Sequence, residues 1–161
     1  MGTRSRIGVM HGDKVKSVYC HWDGYLEHNG RILQEHYDSV KANHLVALGD
    51  LSSLRKDIGE KHSFSKFDLA TQIEQRLHEE ATENMCTFYG RDRGETETEF
   101  KVAQTFDEFL EQCDNCGAEY YYINKDGVWY CGDTYEGTPL SKTLTLLTEA
   151  LVLEKILDEQ A

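Results

Sequence analysis

The amino-acid sequence predicts an α+β fold, and three observations carry that prediction. Two strand-like segments open the chain, and a second pair flanks Asn124-Lys125-Asp126-Gly127 near its end. Between and after these pairs lie segments whose apolar residues recur at helical spacing. Strand pairs call for a common sheet, and amphipathic helices need a surface on which to bury a stripe. The expectation is an antiparallel or mixed sheet built from an N-terminal and a C-terminal hairpin. Helices should pack on one side of it, and a leucine-rich helix should close the chain. At 161 residues, with one proline and no low-complexity tract, the sequence reads as a single domain over residues 1–161.

In order along the chain, residues 4–10 read as a strand, and His11-Gly12-Asp13 as a turn. Val18, Cys20 and Trp22 alternate with Ser17, Tyr19 and His21, the period of a half-buried strand pairing with the first. A helix beginning at Asn29 or Gly30 carries Ile32, Leu33, His36 and Tyr37 on one face. Ser39 is placed to cap a second helix through residue 48, with Gly49 as its stop. Residues 50–54 read as a loop or short turn. Residues 68–83 read as a helix with Leu69, Ile73 and Leu77 inward, and 85–89 as a strand. Residues 90–98 are charged and lack an aliphatic residue, so an exposed loop is expected there. Residues 100–103 read as a strand. Thr105 and Glu108 have capping-box spacing, and the helix they open should end near Cys116-Gly117. Asp126-Gly127, between aromatic and β-branched runs, is the clearest hairpin signal in the chain. The last helix is expected over residues 141–159.

That final helix is apolar at 144, 146, 147, 150, 151, 152, 153, 156 and 157, too broad a distribution for one core-facing stripe. It should therefore be buried on two sides, which predicts a homodimer through Leu144, Leu147, Leu151 and Ile156.

The net charge is -12, and it is unevenly spread. Residues 1–61 sum to +1 and residues 62–161 to -13. Such a field repels nucleic acid and favours basic surfaces. The densest carboxylate run comprises Glu95, Glu97, Glu99, Asp107, Glu108 and Glu111, which makes these the candidate partner-binding residues. No run of apolar residues reaches membrane-spanning length, and Arg4 and Arg6 precede no apolar stretch of a secretion signal. A cytoplasmic location is expected. Five cysteines at irregular spacing fit free thiols in a reducing compartment.

The constellations that carry chemistry are incomplete. Cys113-Asp114-Asn115-Cys116 has the spacing of a redox pair or half a zinc site, but a structural zinc needs four ligands. His11 with Asp13, and His21 with Asp23, set imidazole beside carboxylate, an arrangement usable for proton transfer. Arg91 and Arg93 lie between glycines, as in anion clamps, yet Asp92 and Glu95 sit among them, so a self-satisfied network is the expected reading. No catalytic residue, cofactor or metal ligand is assigned, and the protein is expected not to be an enzyme.

Gly2-Thr3-Arg4-Ser5-Arg6-Ile7-Gly8 and Tyr19-Cys20-His21-Trp22-Asp23-Gly24-Tyr25 resemble the start of a family of small tailed-phage accessory proteins. The likeness continues at Glu35-His36-Tyr37, at residues 47–54 and at Tyr89-Gly90-Arg91-Asp92-Arg93-Gly94-Glu95, in patches over residues 2–135. Leu26 stands where the family often has proline, and residues 139–161 lie outside the blocks. Phage proteins of this size and acidity often inhibit host machinery, and Lon-protease inhibitors of T-even phages are similar to this chain in length and mass. The resemblance implies an inhibitor that binds a host protein in the host cytoplasm, with the ATP-dependent protease Lon as leading partner. An acidic DNA mimic that blocks a restriction enzyme is the alternative, and a small metal or redox enzyme the third.

Overall fold

The computed structural model describes residues 2–160. Its centre is an eight-stranded mixed sheet. β1 (Ser5–His11) and β2 (Lys14–Cys20) form the N-terminal hairpin, in register from Ser5 opposite Cys20 to His11 opposite Lys14. β6 (Tyr120–Lys125) and β7 (Val128–Asp133) form the second. Asp126 and Gly127 both have positive φ, 53° and 83°, as a two-residue turn that follows the strand twist requires. The hairpins join through β1 and β6, which run parallel, so the two ends of the chain meet at the centre of the sheet.

Short strands complete it: β3 (Leu51–Ser53), β4 (Thr87–Phe88), β5 (Lys101–Ala103) and β8 (Thr145–Leu146). The order is β4-β3-β2-β1-β6-β7-β8, with β5 also pairing β2. The α+β expectation holds. Four of the quoted sequence blocks thereby come together, since residues 2–8, 19–25, 47–54 and 89–95 run through or flank four strands adjacent in the order β1, β2, β3 and β4.

Helices cover both faces of the sheet rather than one. α1 (Arg31–His36), α2 (Ser39–Ala47) and α6 (Leu147–Gln160) share a core with Ile7, Val9, Val18, Tyr122, Trp129 and Cys131. α5 (Phe106–Cys116) lies on the opposite face, where Phe109 and Cys113 pack with Met10, Val15, Tyr121 and Ile123. The reason is written in β6. Tyr121, Tyr122 and Ile123 are consecutive and all fully buried, and successive side chains point to opposite faces, so both faces must be covered.

Several local expectations are corrected. Residues 51–53 are strand β3, because His21 and Trp22 N–H groups donate to Leu51 and Ser52 carbonyls. The cap of α2 is Asp38, whose carboxylate accepts from Lys41 N–H at 2.8 Å. A π-helical turn at Leu26–Gly30 precedes α1. The charged stretch after 89 holds a short helix, α4 (Tyr89–Arg93). α3 (Gln72–Thr82) buries no residue, and Ile73 and Leu77 face solvent instead of a core. It belongs to an excursion whose base is closed by Asp57 N–H to Asn84 O and Cys86 N–H to Asp57 O, and this path does not bring it onto the sheet. α6 begins at Leu147, because Thr145 and Leu146 pair with β7. No helix among the described residues is long and apolar enough to cross a membrane.

Candidate functional site

α6 presents two apolar faces. Leu147, Ala150 and Leu151 are buried against the chain's own core. Val152, Leu153, Ile156 and Leu157 remain 59%, 37%, 45% and 50% exposed. Positions 152 and 156, and 153 and 157, are one helical turn apart, so the four form a continuous outward stripe. Thr148, Glu149, Val152, Leu153 and Ile156 outline a shallow depression of about 370 Å³ on it. Of the four residues expected at a dimer interface, Leu147 and Leu151 are turned inward and buried, and Leu144 lies ahead of the helix. Only Ile156 is on the outward stripe. The difference follows from the later helix start, which makes Leu147, Ala150 and Leu151 the core positions. The sequence signal for Val152, Leu153 and Leu157 was the second spacing-of-four pattern beside the first.

The helix is acidic around that stripe. It carries Glu149, Glu154, Asp158 and Glu159 against the single cation Lys155. Burial pushes the Glu154 carboxyl above its ordinary range, and the nearby Glu27 and Asp158 charges push the same way.

The six candidate carboxylates divide between two elements. Glu95, Glu97 and Glu99 are exposed in the segment between α4 and β5, where Glu95 accepts from Arg93 Nε at 2.9 Å. Asp107 and Glu111 are exposed on α5. Glu108 is corrected from a partner-binding to a structural role. It is half-buried, its N–H donates to Thr105 Oγ1 at 3.1 Å, and its Oε2 accepts from Gln104 N–H at 3.0 Å. It caps α5 together with Thr105, and Gly117 in the left-handed region (φ 73°) ends that helix.

The remaining constellations fall into place as supports. His21 Nδ1 bonds the Tyr19 hydroxyl at 2.6 Å rather than Asp23, which sits in a turn at φ 57°. His11 and Asp13 are exposed at the tip of the first hairpin. All five cysteines are free thiols. Burial pushes Cys20 and Cys131 up to about 12 and moves Cys86 and Cys113 upward too, which keeps these thiols protonated. Among the described residues no group of three or more His, Cys, Asp or Glu is arranged to hold a metal.

Asp92 is the centre of the network in the arginine–glycine block. Its buried carboxylate accepts from Phe88 N–H at 2.7 Å, His62 N–H at 3.0 Å and Arg91 Nε at 3.0 Å. Arg91 also donates to the Ile58, Gly59 and Cys86 carbonyls, so this pair fastens the base of the excursion that carries α3. His62 gave no signal in sequence, because Asp92 and Cys86, which it meets here, are thirty and twenty-four residues away along the chain.

Comparison of the chain with known protein families, with curated proteins and with solved structures gave no match.

Proposed function

We propose that this protein acts by binding another protein through the outward face of α6. The observation that supports this most is the stripe of Val152, Leu153, Ile156 and Leu157 on a helix whose other face is locked into the core. Covering such side chains recovers on the order of 1 kcal/mol each. A helix already held in place loses little further freedom when a partner docks. The acidic surround favours a partner with a basic rim and steers its approach. A second copy of this chain would bring like charges together around the same stripe, so self-association is the weaker reading of the face. Light scattering reports it directly.

The resemblance of the N-terminal blocks to phage accessory proteins supports a host protein as the partner and inhibition as the outcome, with Lon protease as the leading target. Purified protein added to Lon should slow degradation of a casein-type substrate. The Val152→Asp, Ile156→Asp double variant should not slow it. Undiminished proteolysis at large molar excess of the wild-type chain removes Lon. A DNA mimic acting through Glu95, Glu97, Glu99, Asp107 and Glu111 would then lead, marked by binding that falls steeply as salt rises.

A further inference from the structure

On the sheet face that α5 covers, the helix ends at Cys116, and a cleft of about 480 Å³ opens beyond it. Gly2, Arg4, His21, Trp22, Gly117 and Glu119 outline it. Four features give it a chemistry.

Arg4 brings an uncommitted cation. Glu119 lines the same cleft, but its Oε2 accepts the Arg4 backbone N–H at 3.1 Å and its Oε1 accepts the Tyr135 hydroxyl at 2.9 Å. The Arg4 guanidinium itself makes no hydrogen bond or ion pair among the described residues.

Arg6, two residues along in β1, does not line the cleft but adds a second, buried charge close to Cys116 at the end of α5. It is 1% exposed. Its Nε and Nη2 donate to Ser17 Oγ and Ser17 O, both at 2.9 Å, and Nη1 meets only the Cys116 sulfur at 3.8 Å. A buried guanidinium ordinarily has a carboxylate partner. Among the described residues none lies within ion-pair distance, and the Asp50 carboxylate is engaged by Tyr19 N–H at 2.9 Å.

His21 supplies a directed donor. Burial pushes the Tyr19 phenol up to about 12, while burial and the Arg4 charge push the His21 imidazole down. In the tautomer where the Tyr19 hydroxyl donates to Nδ1, the ring proton sits on Nε2, and this is the form that donates into the cleft. That N–H has no acceptor among the described residues.

Trp22 supplies an apolar wall. It is 44% exposed, and His21 meets it edge-on with ring centroids 4.7 Å apart. Gly2 and Gly117 keep the walls close: a Cβ at Gly2 would stand 2.9 Å from the Trp22 ring, and one at Gly117 would stand 2.9 Å from Arg4 Nη1.

We propose that this cleft binds a small aromatic molecule bearing an oxyanion, with the oxyanion on the Arg4 guanidinium and His21 Nε2–H and the ring against Trp22. A phosphoryl or a carboxylate group satisfies the same two donors. The site is separate from α6 and stands or falls independently of partner binding.

The test is a titration of the full chain followed by proton–nitrogen NMR at the two indole N–H groups. Trp22 reports the cleft. Trp129, buried with its indole donating to Tyr37 O at 2.9 Å, reports the fold. Adenosine monophosphate, benzoate, inorganic phosphate and adenosine are the probes. The expected result is a saturable shift of Trp22 with Trp129 unmoved, for the monophosphate, benzoate or both, at a Kd of about 1 mM or tighter. Which of the two saturates identifies the oxyanion. Inorganic phosphate should bind more weakly for want of the ring. Arg4→Gln should weaken binding by about tenfold or more, and His21→Gln by a smaller factor, with the Trp129 signal unchanged. No saturable shift with either aromatic anion overturns the proposal. So does adenosine binding as tightly as its monophosphate, or an Arg4→Gln variant that binds like the wild type.

Discussion

α3 and α6 both turn apolar side chains to solvent, and they differ in what holds them. In α3, Ile73 and Leu77 are 74% and 60% exposed, and Phe67 just ahead of it is 78% exposed. No residue of that helix is buried. It is tied by polar contacts: His78 Nε2 with Ser63 O at 2.7 Å, Gln75 Nε2 to Leu69 O at 3.2 Å, and the Lys66–Glu79 ion pair. α6 is anchored by Leu147, Ala150 and Leu151 within the main core. Exposed apolar surface alone therefore does not mark a docking face. A stripe on an anchored helix is already in its binding conformation, whereas one on a polar-tethered helix must be ordered as it binds.

The comparison is sharpened first by the substitution with the largest expected effect. Leu147→Ala should cost about 2–5 kcal/mol in urea unfolding, because it empties a fully buried site. Leu77→Ala should stay within about 0.5 kcal/mol. Equal losses would mean that α3 is packed as firmly as α6.

Asp92→Ala comes next, at about 2–3 kcal/mol, since it strands buried N–H donors and unpairs Arg91. Hydrogen exchange should rise first over residues 58–85, the excursion whose base this network closes, and leave α6 protected. Uniform loss of protection across both helices would break the distinction.

Thr71→Ala removes the cap that accepts from Glu74 N–H at 3.1 Å and should cost about 1 kcal/mol of local helix stability. Its signature is fraying of α3 in exchange measurements with the global transition little changed. Val152→Asp with Ile156→Asp should cost no more than about 1 kcal/mol, because both positions are exposed.

The hairpins were legible because their signals are local. Asp126-Gly127 dictates its own turn, and the Thr105 cap and the Gly117 stop bound α5 within a dozen residues. The strand β3 was harder to read, since three residues carry no period and its pairing joins residues 51–53 to 87–88. Asp92 and Arg91 sit in a charged stretch that reads as solvated. Their burial depends on carbonyls supplied by Ile58, Gly59 and Cys86. Ile73 and Leu77 have the spacing of a core stripe, but periodicity does not say whether a sheet surface is within reach. For α6 the breadth of the apolar pattern implied burial on two sides, and the chain itself buries one of them. Their assignment depended on a helix start that β8 moved to Leu147. His21 and Trp22 are adjacent in sequence, but the cleft needed Arg4 beside them and the end of α5 at Gly117, more than ninety residues away.

Lon proteolysis with and without this protein tests the central claim most directly, using the wild type and the Val152→Asp, Ile156→Asp variant at equal, confirmed folding. The wild type is expected to slow substrate loss in proportion to its concentration, and the variant to leave it unchanged. A variant that inhibits as well as the wild type would contradict the assignment of the α6 face, and a wild type without effect at large molar excess would contradict Lon as the partner.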